Sequence, residues 1–172
     1  MAGDQFLMDA RYLIAQPLSA EAFAPYGEVV SSAGRDGRSI NAGTSLRVEM
    51  AEPDILDAGG RPSLSVFRAR AIALPFAAQV LERHRLGSQT FLPLAATPYV
   101  VLVALGADAP DTATLRAFLA GPGVGITLRR DVWHHPLMAL ADGDFAVLER
   151  AGPAVDCEVA PLPDAPWTIR TA

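Results

Sequence analysis

The chain predicts an all-β domain, a sandwich or barrel built from about ten short strands with a few short helices. Three observations carry that expectation. Fourteen glycines and fourteen prolines punctuate 172 residues at short intervals, leaving little room for long helices. Pro98-Tyr-Val-Val-Leu-Val-Ala-Leu105 is a continuous apolar run of strand length, which reads as a fully buried strand. Leu64-Ser-Val-Phe-Arg68 and Asp144-Phe-Ala-Val-Leu148 add β-branched and aromatic segments of the kind that favour a pleated surface.

Taken in order, Met1 to Gln16 is a mixed lead-in. Ser19 can cap a helix of one or two turns that buries Phe23 and stops at Pro25 and Gly27. Glu28 to Val30 begins a strand, and Ser31 to Ser39 is a polar loop. Ile40-Asn-Ala-Gly43 is a turn in which Gly43 supplies an unusual backbone angle. Leu46 to Met50 alternates like a strand, and Ala51 to Pro62 is a second loop. On the strand that follows, Leu64, Val66 and Arg68 share one face. Either that face is solvated, or Arg68 enters a cavity and needs an anion there.

Pro75 to Gly87 is where two readings compete. Local propensity favours a helix, with proline at the start, good helix formers within and glycine at the stop. A helix sets residues two apart about 200° apart, so Glu82 and His84 would diverge. A strand puts Val80, Glu82 and His84 on one face. The all-β context decides for the strand. Ser88 to Leu94 then follows the Gly87 turn as another strand, with Gln89 and Phe91 on one face. Asp108 to Asp111 is a turn, and Leu115 to Ala120 is a strand or a short helix.

Gly125 to Leu140 holds two of the three histidines, adjacent at 134 and 135. Ile126 and Leu128, then Leu137 to Leu140, read as two strands joined by a tight turn at Arg130-Asp131, where aspartate tolerates a positive φ. Side chains alternate after a turn, so His134 and His135 face opposite ways and one of them faces the interior. Trp133 reads as a wall residue, and Arg129, opposite Arg130, as a solvated one. The chain is read as one domain, residues 1–172, with residues 1–16 a lead-in and 158–172 a Pro-rich tail.

Composition narrows the function classes. With 51% hydrophobic and 19% charged residues the chain can build a core. A net charge of −5 without a basic stripe argues against nucleic acid as a partner. All 14 positive side chains are arginines, which excludes lysine chemistry and leaves the guanidinium as the fixed cation for an anionic ligand. The single cysteine, Cys157, excludes an internal disulfide and reads as a half-buried thiol. The absence of a spanning apolar run and of a signal-peptide layout points to a cytoplasmic protein without a membrane partner.

Glu82, His84, Gln89 and His134 form the candidate site, as acid–base groups or as ligands of a divalent metal. Their spacing resembles the cupin pattern of His-x-His-x4-Glu and a distant His, with Glu82 in place of the first histidine and Gln89 in place of the glutamate. The wording around them is more specific. Leu81-Glu-Arg-His84, Gly87-Ser-Gln89, Phe91-Leu-Pro93, Leu115-Arg-Ala-Phe118 and Val132-Trp-His-His-Pro136 resemble the ureidoglycolate lyase family of allantoin degradation. So do Ser65-Val-Phe-Arg68, Ile40-Asn-Ala-Gly43 and Asp156-Cys157. The likeness runs from about Leu18 to Cys157 with its blocks in one order. It implies a cupin-like double-stranded β-helix, a homodimer, an association with nickel, and release of urea and glyoxylate from (S)-ureidoglycolate. Three positions depart from the family pattern. They are Ala42 for a usual Asn, Leu128 for a common Tyr, and Asp131 for Gly or Asn. Asp131 keeps the turn chemistry, whereas Leu128 removes a hydroxyl that can bond the substrate.

The residues suit that reaction. Breaking the C–N bond needs a base on the carbinol proton, an acid for departing urea and a cation on the carboxylate. Histidines and a paired carboxylate can handle the protons, and a divalent metal can lower the hydroxyl pKa. Arg68 or Arg130 is expected to clamp the carboxylate bidentately, with Gln89 as a neutral partner. His135 either braces the cluster from behind or takes the inward place. Two rival functions remain at this stage, an amidohydrolase releasing ammonia and a non-catalytic cupin that binds a small carboxylate. In a third reading the histidines and Trp133 form an inert core corner.

Overall fold

A computed structural model describes residues 11–172; most of the lead-in lies outside the described residues. The chain opens with β1 (Arg11–Ile14), β2 (Gln16–Pro17) and a one-turn helix α1 (Ala20–Phe23). β3 (Gly27–Val30), β4 (Arg38–Ile40), β5 (Ser45–Arg47) and β6 (Arg61–Ala69) follow. The middle supplies β7 (Phe76–Ala78), β8 (Val80–His84), β9 (Gln89–Pro93), β10 (Tyr99–Ala104) and β11 (Arg116–Ala120). β12 (Gly125–Leu128), β13 (Trp133–His134), β14 (Met138–Ala139), β15 (Gly143–Ala151), β16 (Cys157–Pro161) and β17 (Trp167–Arg170) complete it.

The expected all-β, cupin-like class is what these strands build. One sheet has the order β3-β12-β9-β15-β6, and a larger one runs β16-β8-β13-β10-β11-β2, with β14 also on β10. A small third sheet, β1-β17-β7, forms a further layer. β10 shows why three layers are needed. Tyr99, Val101 and Val103 enter one core with Phe91, Ile126 and Phe145 of the first sheet. Val100, Leu102 and Ala104 enter a second core with Ala78 and Ile169 of the small sheet. A strand buried on both faces has no polar alternation, as the apolar run at 98–105 indicated. Each fully buried large side chain there contributes roughly 1.5–3 kcal/mol.

The helix at 19–23 forms for the expected reason. The Ala22 N–H donates to Ser19 Oγ at 3.2 Å, and Phe23 is fully buried. Residues 80–84 are extended, not helical. β8 is hydrogen-bonded to β16 on one side and β13 on the other, and this pairing overrides helix propensity. Leu115 to Ala120 likewise resolves as a strand, β11, beside β10.

Three details differ from the sequence reading. The turn at Arg130-Asp131, with Asp131 at φ 65°, does not close a hairpin. β12 lies in the first sheet and β13 in the second, so the turn carries the chain across the barrel end. The Pro-rich tail is structural: β16 is an edge of the larger sheet, and β17 pairs with β1 and β7. Pro161 ends the edge strand β16, and Pro163 and Pro166 lie in the connection to β17, where a missing N–H costs little. The strand at 46–50 stops at Arg47, and β4 and β5 form an exposed two-stranded arm of their own.

Candidate active site

The site lies at one end of the barrel, where β8 and β13 of the larger sheet face β9 and β15 of the smaller. Leu81 and Arg83 of β8 are buried on the side away from the first core. Alternation therefore aims Glu82 and His84 into the barrel. Arg83 fixes this phase. Its guanidinium donates to Glu158 Oε2 at 2.9 Å and to the Ala107 carbonyl, and it stacks on Trp133 with 4.2 Å to the ring centroid. His134 sits directly opposite Glu82 in the β13–β8 register, and its Nε2 is 3.6 Å from Glu82 Oε1. The His84 and His134 rings stack at 5.6 Å between centroids. One potential ligand atom each from Glu82, His84 and His134 lies within 4.8 Å of the others.

The His134 tautomer follows from its neighbour. Nδ1 is 3.0 Å from the Val132 carbonyl, which can only accept, so Nδ1–H donates and Nε2 keeps its lone pair toward the cluster. Burial lowers the His134 pKa to about 4, with the Val132 bond working the other way, so the ring is neutral at pH 7. Glu82 moves upward, mainly through burial, with opposing help from His84 and the Cys157 thiol and a further push from Glu149. His84 Nε2, His134 Nε2 and Gln89 Oε1 are buried with no hydrogen-bond partner. Unpaired buried polar atoms are rare and costly, and here several share one end of the barrel. A neutral imidazole whose other nitrogen bonds a carbonyl is the usual state of a metal-ligating histidine. The donor set, two imidazoles and a carboxylate, therefore fits a divalent transition metal.

Gln89 belongs to this end of the barrel, though not to the triad. Its Nε2 donates to Glu149 Oε2 at 2.8 Å, which leaves Oε1 free toward the interior. Glu149 was missed in the sequence. Its signal was the alternation Phe145, Val147, Glu149, an acid in phase with two fully buried apolar residues of one strand. Cys157 is exposed, not half-buried, and lies opposite His84 on β16 with its thiol 3.8 Å from Glu82 Oε2. Burial and Glu82 push that thiol pKa up, against nucleophilic use.

The remaining expected residues are not brought to the cluster. His135 faces away, its ring edge-on to Phe76 at 5.2 Å and its Nδ1 bonded to the Pro136 carbonyl. Arg68 shares the outer face of β6 with Leu64 and Val66. It is 89% exposed with Asp144 Oδ1 at 3.7 Å, so the solvated alternative holds. Arg130 turns outward from the crossing and grips the loop before β6, donating to Asp54 and to Asp57 Oδ2 at 2.9 Å. Those bonds hold the Asp57 carboxyl below its ordinary range. Neither arginine is free to meet an anion beside Glu82.

Comparison with known proteins agrees with this geometry. A family model described as ureidoglycolate lyase matches residues 10–170. A ureidoglycolate lyase of Burkholderia mallei is 42% identical over 154 residues, 88% of this chain and 90% of its own. One from Azotobacter vinelandii is 42% identical over 150 residues, covering 86% and 90%. One from Pseudomonas entomophila is 38% identical over 161 residues, covering 90% and 93%. The chain belongs to the ureidoglycolate lyase family.

Proposed function

We propose that this protein cleaves (S)-ureidoglycolate to glyoxylate and urea. The observation that carries the reading is the unpartnered His134 Nε2, held neutral with its lone pair beside Glu82 and His84 at the barrel end. The substrate carbon bears a hydroxyl, a carboxylate and a ureido nitrogen. Its O–H proton leaves, the C=O bond of glyoxylate forms, and the C–N bond breaks with its electron pair on nitrogen. One proton then returns to that nitrogen, and urea departs. Proton removal falls to the cluster of His134, His84 and Glu82. Glu82, with its carboxyl raised by burial, can also carry the proton back to the ureido nitrogen. Gln89, buried, and the half-buried Glu149 form a hydrogen-bonded polar wall opposite.

Alternatively, Glu82, His84 and His134 would hold a divalent metal, nickel being the family association, which when bound supplies a Lewis acid for the hydroxyl oxygen in place of the base role of those same lone pairs. Gln89 Oε1 is the further neutral oxygen on that side. The protein works as a homodimer. Leu64 and Val66 are 73% and 57% exposed on the nine-residue edge strand β6, a surface that a second copy would cover. The exposed free thiol Cys157 suits the reducing cytoplasm. No helix among the described residues is long and apolar enough to cross a membrane.

The test is to incubate purified protein with (S)-ureidoglycolate and to assay urea and ammonia in the same sample. Chelation and re-addition of single divalent metals follow. Urea with glyoxylate is the expected outcome. Ammonia instead would identify an amidohydrolase. Stoichiometric binding without turnover under every metal would identify a binding protein.

A further inference from the structure

The site as described has acids and imidazoles but lacks a cation for the carboxylate of its substrate. Among the described residues, Arg38, Arg61, Arg70 and Arg170 make no side-chain hydrogen bond or ion pair; Arg170 stacks on Tyr12 in the small outer sheet, and of the four Arg61 is the one on the strand beside the Gln89–Glu149 pair. Phe67 packs its ring on core Phe91 at 6.2 Å. Alternation along β6 then aims Ser65, Ser63 and Arg61 to that same interior side, while Leu64, Val66 and Arg68 face out. The register completes the placement. Ser63 pairs with Glu149, and Glu149 pairs with Gln89, so the three form one row across the sheet. Arg61 pairs with Ala151 one pleat further along, about 7 Å nearer the open end.

Its backbone is fixed in advance. Arg150 is buried and donates to the carbonyls of Asp57 and Ala58, each at 2.9 Å, which pins the loop leading into β6. A Cβ at Gly60 would stand 2.6 Å from Arg150 Nε, so the close approach requires glycine just before Arg61. Below Arg61 on the same face, Ser65 Oγ is buried with no partner. The inner side of β6 thus offers a guanidinium above an unsatisfied hydroxyl.

We propose that Arg61 binds the carboxylate of the substrate over the Glu82–His84–His134 cluster. A guanidinium takes a carboxylate through two parallel N–H donors and orients it as well as attracting it. With the carboxylate held at the rim, the neighbouring carbinol is directed inward to His134. The inference rests on the lyase reading for the identity of the substrate, though not for the chemistry of the anion.

The experiment compares wild type with Arg61→Gln and Arg61→Lys, using Arg38→Gln as a surface control. The readouts are kcat and KM for ureidoglycolate, and calorimetric binding of glycolate against its uncharged counterpart glycolamide. Arg61→Gln is expected to raise KM by about ten- to a hundredfold with a smaller effect on kcat, the range of one charge-assisted hydrogen bond. It should weaken glycolate by a similar factor and leave glycolamide unchanged. Arg61→Lys should recover part of the loss, and Arg38→Gln should behave as wild type. Unfolding midpoints identify any variant whose loss reflects poor folding, and in that case the Lys variant decides. If wild type releases no urea yet its preference for glycolate depends on Arg61, the lyase reading fails and the anion site stands. Active wild type with unchanged KM and glycolate binding in Arg61→Gln overturns the proposal. So does a wild type with no preference for glycolate, or the same loss in Arg68→Gln or Arg130→Gln and not in Arg61→Gln.

Discussion

Glu82 and His134 stand directly opposite each other on adjacent antiparallel strands, Oε1 to Nε2 at 3.6 Å, one group pushed toward its neutral form and the other held in it. Burial acts on both in the same sense, against charge. A cation placed between the two groups would offset that penalty. This property distinguishes the cluster from an ordinary buried ion pair.

Replacing His134 by Ala should lower kcat by about a hundredfold or more and abolish metal uptake, while the unfolding midpoint changes by only a few degrees. Single-turnover rates, metal content and thermal melts on one preparation check this. A loss of activity that only tracks the folded fraction would return the histidine to the role of a core residue.

Stability should fall on acidification through a defined window. The His134 ring titrates at about 4 in the folded chain against an ordinary 6.5. Between those values the unfolded chain binds the extra proton, so this contribution is full above about pH 6.5 and lost as pH falls to about 4. Its size is on the order of 3 kcal/mol. His135, also lowered by burial, acts in the same direction. Glu82 acts oppositely: its raised folded pKa favours the native state at low pH, and that contribution is lost as pH rises through the folded value. Denaturant unfolding at intervals from pH 7 to 4 should show the decline, with a shallower slope in His134→Asn. Equal slopes in the two proteins would contradict it.

Gln89→Leu should leave Glu149 without its donor and let that carboxylate swing toward Glu82. Loss of one charge-assisted hydrogen bond is about 1.5–3 kcal/mol, so kcat/KM should drop roughly ten- to a hundredfold with the fold intact. Steady-state kinetics alongside circular dichroism test this. An unaltered kcat/KM would place the pair outside the reaction.

Arg83→Ala should be costlier to the fold than to the chemistry. It removes a buried cation bound to Glu158 and two carbonyls and stacked on Trp133. A loss of about 3 kcal/mol or more is expected in denaturant melts. The variant that remains folded should also bind metal more weakly, because Arg83 fixes the face on which Glu82 and His84 project. A stability change under about 0.5 kcal/mol would show that the strand pairing alone fixes that face.

Much of this arrangement was legible in the chain. The continuous apolar run at 98–105 and the alternation of Glu82 and His84 carry their burial on their face, because side-chain period is a local property. The opposed facing of His134 and His135 follows from the same rule. What local pattern could not give was which sheet each strand joins. Ile126 and Leu128 alternate as strand residues do, yet the strand across the Asp131 turn lies in the other sheet. Arg68 and Arg130 suit an anion by charge alone. Their direction depends on β6 being an edge strand and on a loop 70 or more positions away that supplies Asp54 and Asp57. Glu149 had a visible phase but no local motif, and its meaning appears only when Gln89 lies beside it.

The parallel pairing of β1 with β17, Arg11 against Trp167 and Ile14 against Arg170, has a consequence for how the molecule is made. The small sheet that seals the second core needs an early strand and a very late one at once. During synthesis Leu13, Phe76 and the outward face of β10 must wait for a partner that emerges only with the last strand. The outer layer is therefore completed only once β17 has emerged, and contacts of such high sequence separation form slowly. Until then the apolar back of the larger sheet is open to solvent. A ribosome-stalled chain ending before Trp167 should bind holdase chaperones that the finished protein ignores.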